Sequence, residues 1–273
     1  METNDQTKKL QSFMSSDKDL KKGKLAKLIA ITSGKGGVGK TNFILNLAIA
    51  MSIRNKKVLL VDADMNLSNI DVLLGIYPEF TLANLLDDEI TAEKLLIEGP
   101  RGIKILSASS GDIMVMQNQK MYQQALIQVY MDMRKEFDYI LIDTGAGITD
   151  YTLDFLFPAD KIIVVTTPEP TAITDAYAMI KVLFFRAKSP NLSLVINMAQ
   201  TEDESKTIYN KINLIVQHFL NKTVNNLGFI LLDKNVKESV REQAPLIIKR
   251  PRSTASANIH NIAITLMKED MHE

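Results

Sequence analysis

The sequence predicts an α/β fold in which a doubly wound, mostly parallel sheet is flanked by helices. From residue 28 onward, short apolar runs alternate with helical stretches, and no linker or repeat interrupts the alternation. A glycine-rich loop joins the first apolar run to the first helix, and two other runs end in aspartate. Such alternation is typical of parallel strands that are covered on both faces. We expect one domain over residues 28–273, preceded by a flexible arm over residues 1–27.

The composition limits the possible functions. The 273 residues are 46% hydrophobic, enough for a large core, and 32 basic residues balance 32 acidic ones. A neutral chain has no overall attraction to nucleic acid, so no specific nucleic-acid partner is expected. The lack of cysteine excludes disulfides and cysteine-held iron–sulfur clusters, and it fits a reducing cytoplasm. The polar N-terminus is unlike a signal peptide, and no apolar run reaches the roughly 18 residues of a membrane span.

The glycine-rich loop has the spacing of a phosphate-binding loop. Gly34 and Gly39 bracket four residues, and Lys40 and Thr41 follow. Backbone amides in such a loop approach phosphates closely, and the N-terminus of the following helix favours negative charge. We predict that Lys40 lies on the β- and γ-phosphates of a nucleotide and that the Thr41 hydroxyl binds Mg²⁺. The predicted loop residues of the nucleotide site are Gly34, Lys35, Gly36, Gly37, Val38, Gly39, Lys40, Thr41 and Asn42.

Two predicted strands end in carboxylates at the sheet edge where open α/β sheets bind ligands. A strand is predicted over residues 58–62, with Asp64 shortly after it, and another over residues 139–143, followed by the glycine-rich segment 144–148. Because successive strand residues face opposite ways, we expect Asp62 to face the Mg²⁺ and Asp64 to enter the loop. A capped turn is the alternative for this pair. Asp143 is predicted to hold Mg²⁺ through water.

The remaining elements follow from apolar periodicity and from capping residues. Further strands are predicted over residues 28–32, 103–108, 161–167, 192–197 and 227–232. Further helices are predicted over residues 42–54, 81–86, 91–96, 111–124, 172–187, 203–220, 236–243 and 254–267.

From Leu28 to about Met267 the chain resembles the MinD/ParA family of ATPases. Residues 34–43 read GKGGVGKTNF, and residues 166–181 read TTPEPTAITDAYAMIK. The second stretch, together with the arm, is similar to the flagellar-number regulators of this family, the FlhG, FleN or YlxH branch. The resemblance implies a homodimer that binds ATP and Mg²⁺, hydrolyses ATP slowly, and stays cytoplasmic or peripheral at the inner membrane surface.

The resemblance also implies roles for single residues. In the family, a lysine at the position of Lys35 reaches across the dimer to the phosphates of the other subunit. An aspartate at the position of Asp64 helps to orient the attacking water, so the implied catalytic residues are Lys35, Lys40 and Asp64. An asparagine at the position of Asn197 contacts adenine, and a turn asparagine is the alternative for this residue.

The arm carries a partial match to a partner motif. Asp5, Gln6 and Leu10 match the D-Q-A-x-x-L-R motif with which Bacillus-type members bind and stimulate the GTPase FlhF, whereas Thr7 and Gln11 replace its alanine and arginine. The resemblance thus implies an FlhF-type GTPase and flagellar switch-complex proteins as partners. The alternatives are a MinD division-site regulator, a DNA-binding ParA-like ATPase and a nucleotide kinase on the same loop.

The last predicted helix allows two interpretations. Its apolar residues recur at helical spacing, which suits either a core helix or a membrane-surface helix. A membrane-surface helix needs basic residues on its polar face, but here Lys268 is followed by acidic residues. We therefore favour the core helix.

Overall fold

The computed structural model describes residues 24–64, 69–81, 84, 91–107, 115, 117–187 and 189–270. The arm residues Asp5, Gln6 and Leu10 lie outside these ranges. Lys27 already belongs to the first strand, and Ala26 is fully buried with its amide donating to the Arg134 carbonyl. The fold therefore includes residues that the sequence assigned to the arm.

The strands pair in a single sheet. In chain order they are β1 (Lys27–Thr32), β2 (Val58–Ala63), β3 (Leu96–Glu98), β4 (Lys104–Ser107), β5 (Tyr139–Thr144), β6 (Lys161–Thr166), β7 (Leu192–Ala199) and β8 (Asn225–Leu231). Their order across the sheet is β3-β4-β2-β5-β1-β6-β7-β8, and among the strands of the described residues only β3 runs antiparallel to its neighbour. This architecture confirms the predicted fold class.

Helices cover both faces of the sheet. In chain order they are α1 (Lys40–Ser52), α2 (Ile70–Leu74), α3 (Gln119–Asp132), α4 (Asp150–Leu156), α5 (Pro170–Arg186), α6 (Glu202–Leu220), α7 (Lys234–Arg241), α8 (Leu246–Lys249) and α9 (Thr254–Glu269). Alternate residues of β1 divide between two cores. Leu28 and Ala30 pack with α3 to α6, whereas Ile29 and Ile31 pack with α1, α8 and α9. Burial on both faces explains why the strands appear in the sequence as continuous apolar runs.

Several elements differ from the prediction, and the short helices α2 and α8 were not predicted. The helix predicted over residues 111–124 is in part α3, whose buried side chains extend to Tyr130. The stretch 91–96, predicted as helix, is a 3₁₀ turn at Ala92–Leu95 that leads into β3. Helix α4 was not predicted, although the Thr149 hydroxyl accepts from the Thr152 amide as a helix cap should. The predicted helix 81–86 lies mostly outside the described residues.

The C-terminal helix α9 belongs to the core, which confirms the favoured interpretation. It packs against β8 and α1. The side chains of Ile259, Ile262 and Leu266 are almost completely buried. Within the described residues, no helix has the length and apolar character needed to cross a membrane.

Candidate functional site

The glycine-rich loop joins β1 to α1 at the central strand of the sheet. Gly39 adopts a left-handed backbone with φ of 83°, and α1 begins at the next residue, Lys40. A Cβ on Gly34 would overlap the backbone carbonyl of Asp175 in α5, so only glycine fits there. The loop is therefore held against α5 at its start, and the N-terminus of α1 lies at its end.

A cleft of about 460 Å³ opens above this loop. Besides the loop, it is lined by residues that follow β2 and β5 and by one residue of α7. The lining residues are Ser33, Gly36, Gly37, Val38, Gly39, Lys40, Thr41, Asn42, Asp64, Asn69, Val72, Leu73, Ala146 and Val240. The structure thus brings together the predicted phosphate loop and the predicted water-orienting Asp64.

Lys40 and Asp143 form a buried ion pair at the base of the loop. Lys40 Nζ donates to Asp143 Oδ1 over 2.7 Å, and the two side chains are 8% and 1% exposed. Asp143 lies in β5 beside Ile31 of β1. The predicted phosphate lysine and the predicted Mg²⁺ carboxylate are therefore neighbours.

Asp62 lies directly beside Asp143 in the adjacent strand. Its carboxylate is fully buried and accepts the backbone amides of Asp64 at 3.1 Å, Asn69 at 3.0 Å and Ile70 at 3.3 Å. In this arrangement Asp62 caps the turn into α2, which is the alternative that the sequence left open. Its role as a Mg²⁺ ligand stays a prediction.

The residues after β5 form hydrogen bonds with the glycine-rich loop and with the end of β2. The sequence did not predict these contacts. The Gly147 amide donates to the Ser33 carbonyl over 2.9 Å. The Tyr151 phenol donates to the Ala63 carbonyl over 3.3 Å. Burial, and then the charge of Asp64, raise the pKa of the Tyr151 phenol, which keeps it a hydrogen-bond donor.

Lys35 points away from the cleft in this single chain. Its Nζ donates to Glu169 Oε2 over 3.0 Å and to Thr171 Oγ1 over 3.2 Å. Lys35 is 41% exposed and Glu169 is 65% exposed, so the pair lies at the surface. Thr171 is part of the first turn of α5. Lys35 is thus held at the surface by its own chain, and its predicted contact across a dimer stays a prediction.

Asn197 lies near the end of β7 and contacts the loop from the side. Its Nδ2 donates to the Val38 carbonyl over 2.8 Å, and its Oδ1 accepts the Met198 amide over 2.9 Å. A smaller, mostly apolar cleft of about 70 Å³ adjoins the same place. Its lining residues are Gly39, Asn42, Phe43, Asn197, Met198, Ile230, Leu231, Leu232, Asp233, Val236, Lys237 and Ile259. The predicted adenine contact of Asn197 stays a prediction.

Comparisons with known proteins agree with this geometry. Residues 24–267 match the ParA family model, described as NUBPL iron-transfer P-loop NTPase. Antiactivator FleN of Pseudomonas aeruginosa is 36% identical over 236 residues, which cover 86% of this chain and 84% of FleN. The flagellum site-determining protein YlxH of Helicobacter pylori is 33% identical over 248 residues, which cover 89% of this chain and 82% of YlxH. The crystal structure of the cell division ATPase MinD from Pyrococcus furiosus superposes with a TM-score of 0.73 at 26% identity, covering 89% of this chain and 99% of MinD.

Proposed function

Because this chain belongs to the ParA/MinD family of P-loop NTPases, which are ATPases, we propose that it is an ATP-driven dimerising switch that controls flagellar number or placement. The observation that best supports an ATP-driven switch is a cleft that the phosphate loop, Asp64 and Ala146 line together. These residues come from three separate strand ends. A nucleotide bound there would contact the loop and both acidic segments together.

The nucleotide is ATP, held by the loop residues Gly34 to Asn42. Lys40 exchanges its contact with Asp143 for the phosphates, because a phosphate-paired lysine makes strong charge-assisted hydrogen bonds. Hydroxyl and carboxylate oxygens suit Mg²⁺, so Thr41, Asp62 and Asp143 are its proposed ligands, directly or through water. When bound, Mg²⁺ neutralises charge that develops on the phosphates.

Hydrolysis resets the switch. Asp64, which lines the same cleft as the loop, orients the attacking water, and Lys35 of each chain completes the site of the other. The surface position of Lys35 supports this role, since its ammonium group is not enclosed by its own chain. Two chains would then close face to face over two nucleotides and separate after slow hydrolysis.

The proposed control of flagellar number or placement is supported by two relatives, FleN and YlxH, whose matches each cover most of this chain. The partial arm motif at Asp5, Gln6 and Leu10 supports an FlhF-type GTPase as a partner. Flagellar switch-complex proteins and the inner membrane surface are further proposed partners. Iron transfer is not proposed, because the sequence has no cysteine to hold a cluster.

A strain that lacks the gene tests the proposed control of flagellar number or placement. Loss of the gene should change the number or position of flagella, as counted by electron microscopy, and leave division at midcell. The Lys40→Ala variant should fail to restore the pattern, whereas the wild-type gene should restore it. Minicells with normal flagella would instead favour division-site regulation, the second candidate, which the likeness to MinD supports.

The arm is tested separately with purified proteins. Removing residues 1–20 should leave ATP binding intact, because the arm precedes β1, and it should abolish stimulation of the partner GTPase. Gln6→Ala should act in the same way if Gln6 orients water in the partner. Full stimulation by the truncated chain would refute the motif.

A further inference from the structure

Helix α2 is a short element that forms part of the wall of the phosphate cleft. It has five residues, Ile70–Leu74, and two of them, Val72 and Leu73, line the cleft. A helix of this length is unstable by itself, so contacts with the rest of the chain must hold it in place. Ile70 is its one fully buried side chain, which leaves much of that task to polar contacts.

Both ends of α2 are bound by side chains from other parts of the chain. At the N-terminal end, the Asp62 carboxylate accepts the backbone amides of Asn69 and Ile70. At the C-terminal end, Gln243 Nε2 donates to the Val72 carbonyl over 2.9 Å. The last carbonyls of a helix have no amide partner further along it, so a side-chain donor stabilises that end.

Gln243 makes this contact from an unusual backbone conformation. Its φ is 49°, in the left-handed region that is unfavourable for a residue with a side chain. Glycine would adopt this conformation at no steric cost. A Cβ on Gly75, which ends α2, would lie 3.2 Å from Gln243 Oε1, so the Gln243 side chain packs directly against the end of the helix.

The contact connects α7 and α2 to the turn that contains Asp64. Val236 of α7 lines the smaller apolar cleft, and Val240 lines the phosphate cleft. Gln243 follows the end of α7 by two residues. On the other side of α2, the Asp62 carboxylate that binds the helix also accepts the Asp64 amide. A displacement of α2 would therefore change the hydrogen bonds that shape the Asp64 turn.

We propose that Gln243 is a positioning residue for ATP hydrolysis: its hydrogen bond to the Val72 carbonyl keeps α2 at the wall of the phosphate cleft and thereby keeps Asp64 aligned. Gln243 acts through α2 and is not itself a catalytic residue. This inference rests on the proposed function, in which Asp64 orients the attacking water.

Two substitutions remove the hydrogen bond but differ in their effect on stability. Gln243→Gly relieves the left-handed backbone, whereas Gln243→Glu keeps that backbone and replaces the donor by a carboxylate, so the glycine variant should be the more stable in urea. Both should slow single-turnover ATP hydrolysis by about three- to tenfold, as expected for one lost hydrogen bond, and change ATP affinity by less than about twofold. A merely structural role would make the hydrolysis rate follow stability.

Arg101→Gly is the matched control. Arg101 also has a left-handed backbone, with φ of 62°, and it is not among the residues that line the two clefts. This substitution should leave ATP hydrolysis and ATP affinity unchanged. Amide hydrogen exchange tests the contact without nucleotide, because the amides of α2 should exchange about threefold faster in Gln243→Gly and at the wild-type rate in Arg101→Gly.

Hydrolysis at the wild-type rate by Gln243→Gly would overturn the inference, as would unchanged exchange in α2. A loss of ATP affinity as large as the loss of rate would also overturn it, because Gln243 would then act on binding. Loss of the ATP-dependent dimer in ultracentrifugation would do the same. A wild-type chain that does not hydrolyse ATP would instead refute the proposed function, and the exchange experiment would still decide whether Gln243 holds α2.

Discussion

Lys40 and Asp143 form an ion pair of 2.7 Å in which both side chains are buried, one in the first turn of α1 and the other in β5. A buried pair of this kind restrains both groups, because either one alone would be an unpaired charge in the protein interior. A nucleotide that binds at the loop must therefore compete with Asp143 for Lys40.

Lys40→Ala should abolish measurable ATP binding and also destabilise the protein. Removing one partner of a buried ion pair costs about 3–5 kcal/mol, since Asp143 is left without its cation. Calorimetry with ATP and urea unfolding measure the two effects. The double variant Lys40→Ala with Asp143→Asn should recover part of the stability and none of the binding. Near-normal ATP affinity in Lys40→Ala would show that the glycine-rich loop is not the nucleotide site.

Glu169→Gln should make ATP-dependent dimers easier to form. Glu169 holds Lys35 within its own chain at 3.0 Å, and this contact has to break before Lys35 reaches a second chain. An exposed ion pair contributes about 0–1 kcal/mol, and a dimer breaks two of them, so the protein concentration for half-dimerisation should fall by at most about thirtyfold. Analytical ultracentrifugation with ATP measures it.

The matched control for Glu169→Gln is Glu98→Gln, which breaks an exposed ion pair between Glu98 of the edge strand β3 and Lys104 of β4. It should leave dimerisation unchanged. A higher concentration requirement in Glu169→Gln would mean that Glu169 supports the dimer instead of restraining Lys35.

Tyr151→Phe should slow ATP hydrolysis by about fivefold and change ATP affinity by less than about twofold. The substitution removes one hydrogen bond of about 1 kcal/mol, from the phenol to the Ala63 carbonyl between Asp62 and Asp64. The ring stays in place against Phe155, whose centroid is 5.3 Å away. Single-turnover kinetics and calorimetry separate the two quantities. A variant that hydrolyses ATP normally would show that this bond does not position Asp64.

Ile262→Ala should destabilise the protein by about 2–5 kcal/mol, because it opens a cavity in a packed core. Ile262 is 2% exposed, and it lies 3.1 Å from where a Cβ on Gly228 would be. Urea unfolding measures the change. Ile248→Ala, at a position that is 39% exposed, should cost much less. Equal effects at the two positions would argue against α9 as a core helix.

The strands and the phosphate loop could be predicted from the sequence because their signals are local. Each central strand is a continuous apolar run, so β5 was predicted to within one residue. β3 was missed because it has only three residues and lies at the sheet edge, where alternation cannot be recognised. Helix α4 has seven residues, too few for a clear helical period.

The contacts that organise the site could not be predicted, because each joins distant parts of the chain. Lys35 with Glu169, and Asn197 with Val38, are separated by 134 and 159 residues. Residue type alone marked Asn197 as a base contact or a turn residue. Only the folded chain shows that its amide donates to the Val38 carbonyl of the loop.

In the proposed switch, ATP closes two chains into a dimer through Lys35, and Asp64 then orients the water that hydrolyses ATP. Light scattering after size exclusion, with ATP and Mg²⁺, tests it on three variants. Asp64→Ala should accumulate as a dimer, Lys35→Ala should bind ATP and stay monomeric, and Lys104→Ala, which changes a lysine of β4 outside the cleft, should behave as wild type. A monomeric Asp64→Ala, or a Lys35→Ala that dimerises like wild type, would contradict the account.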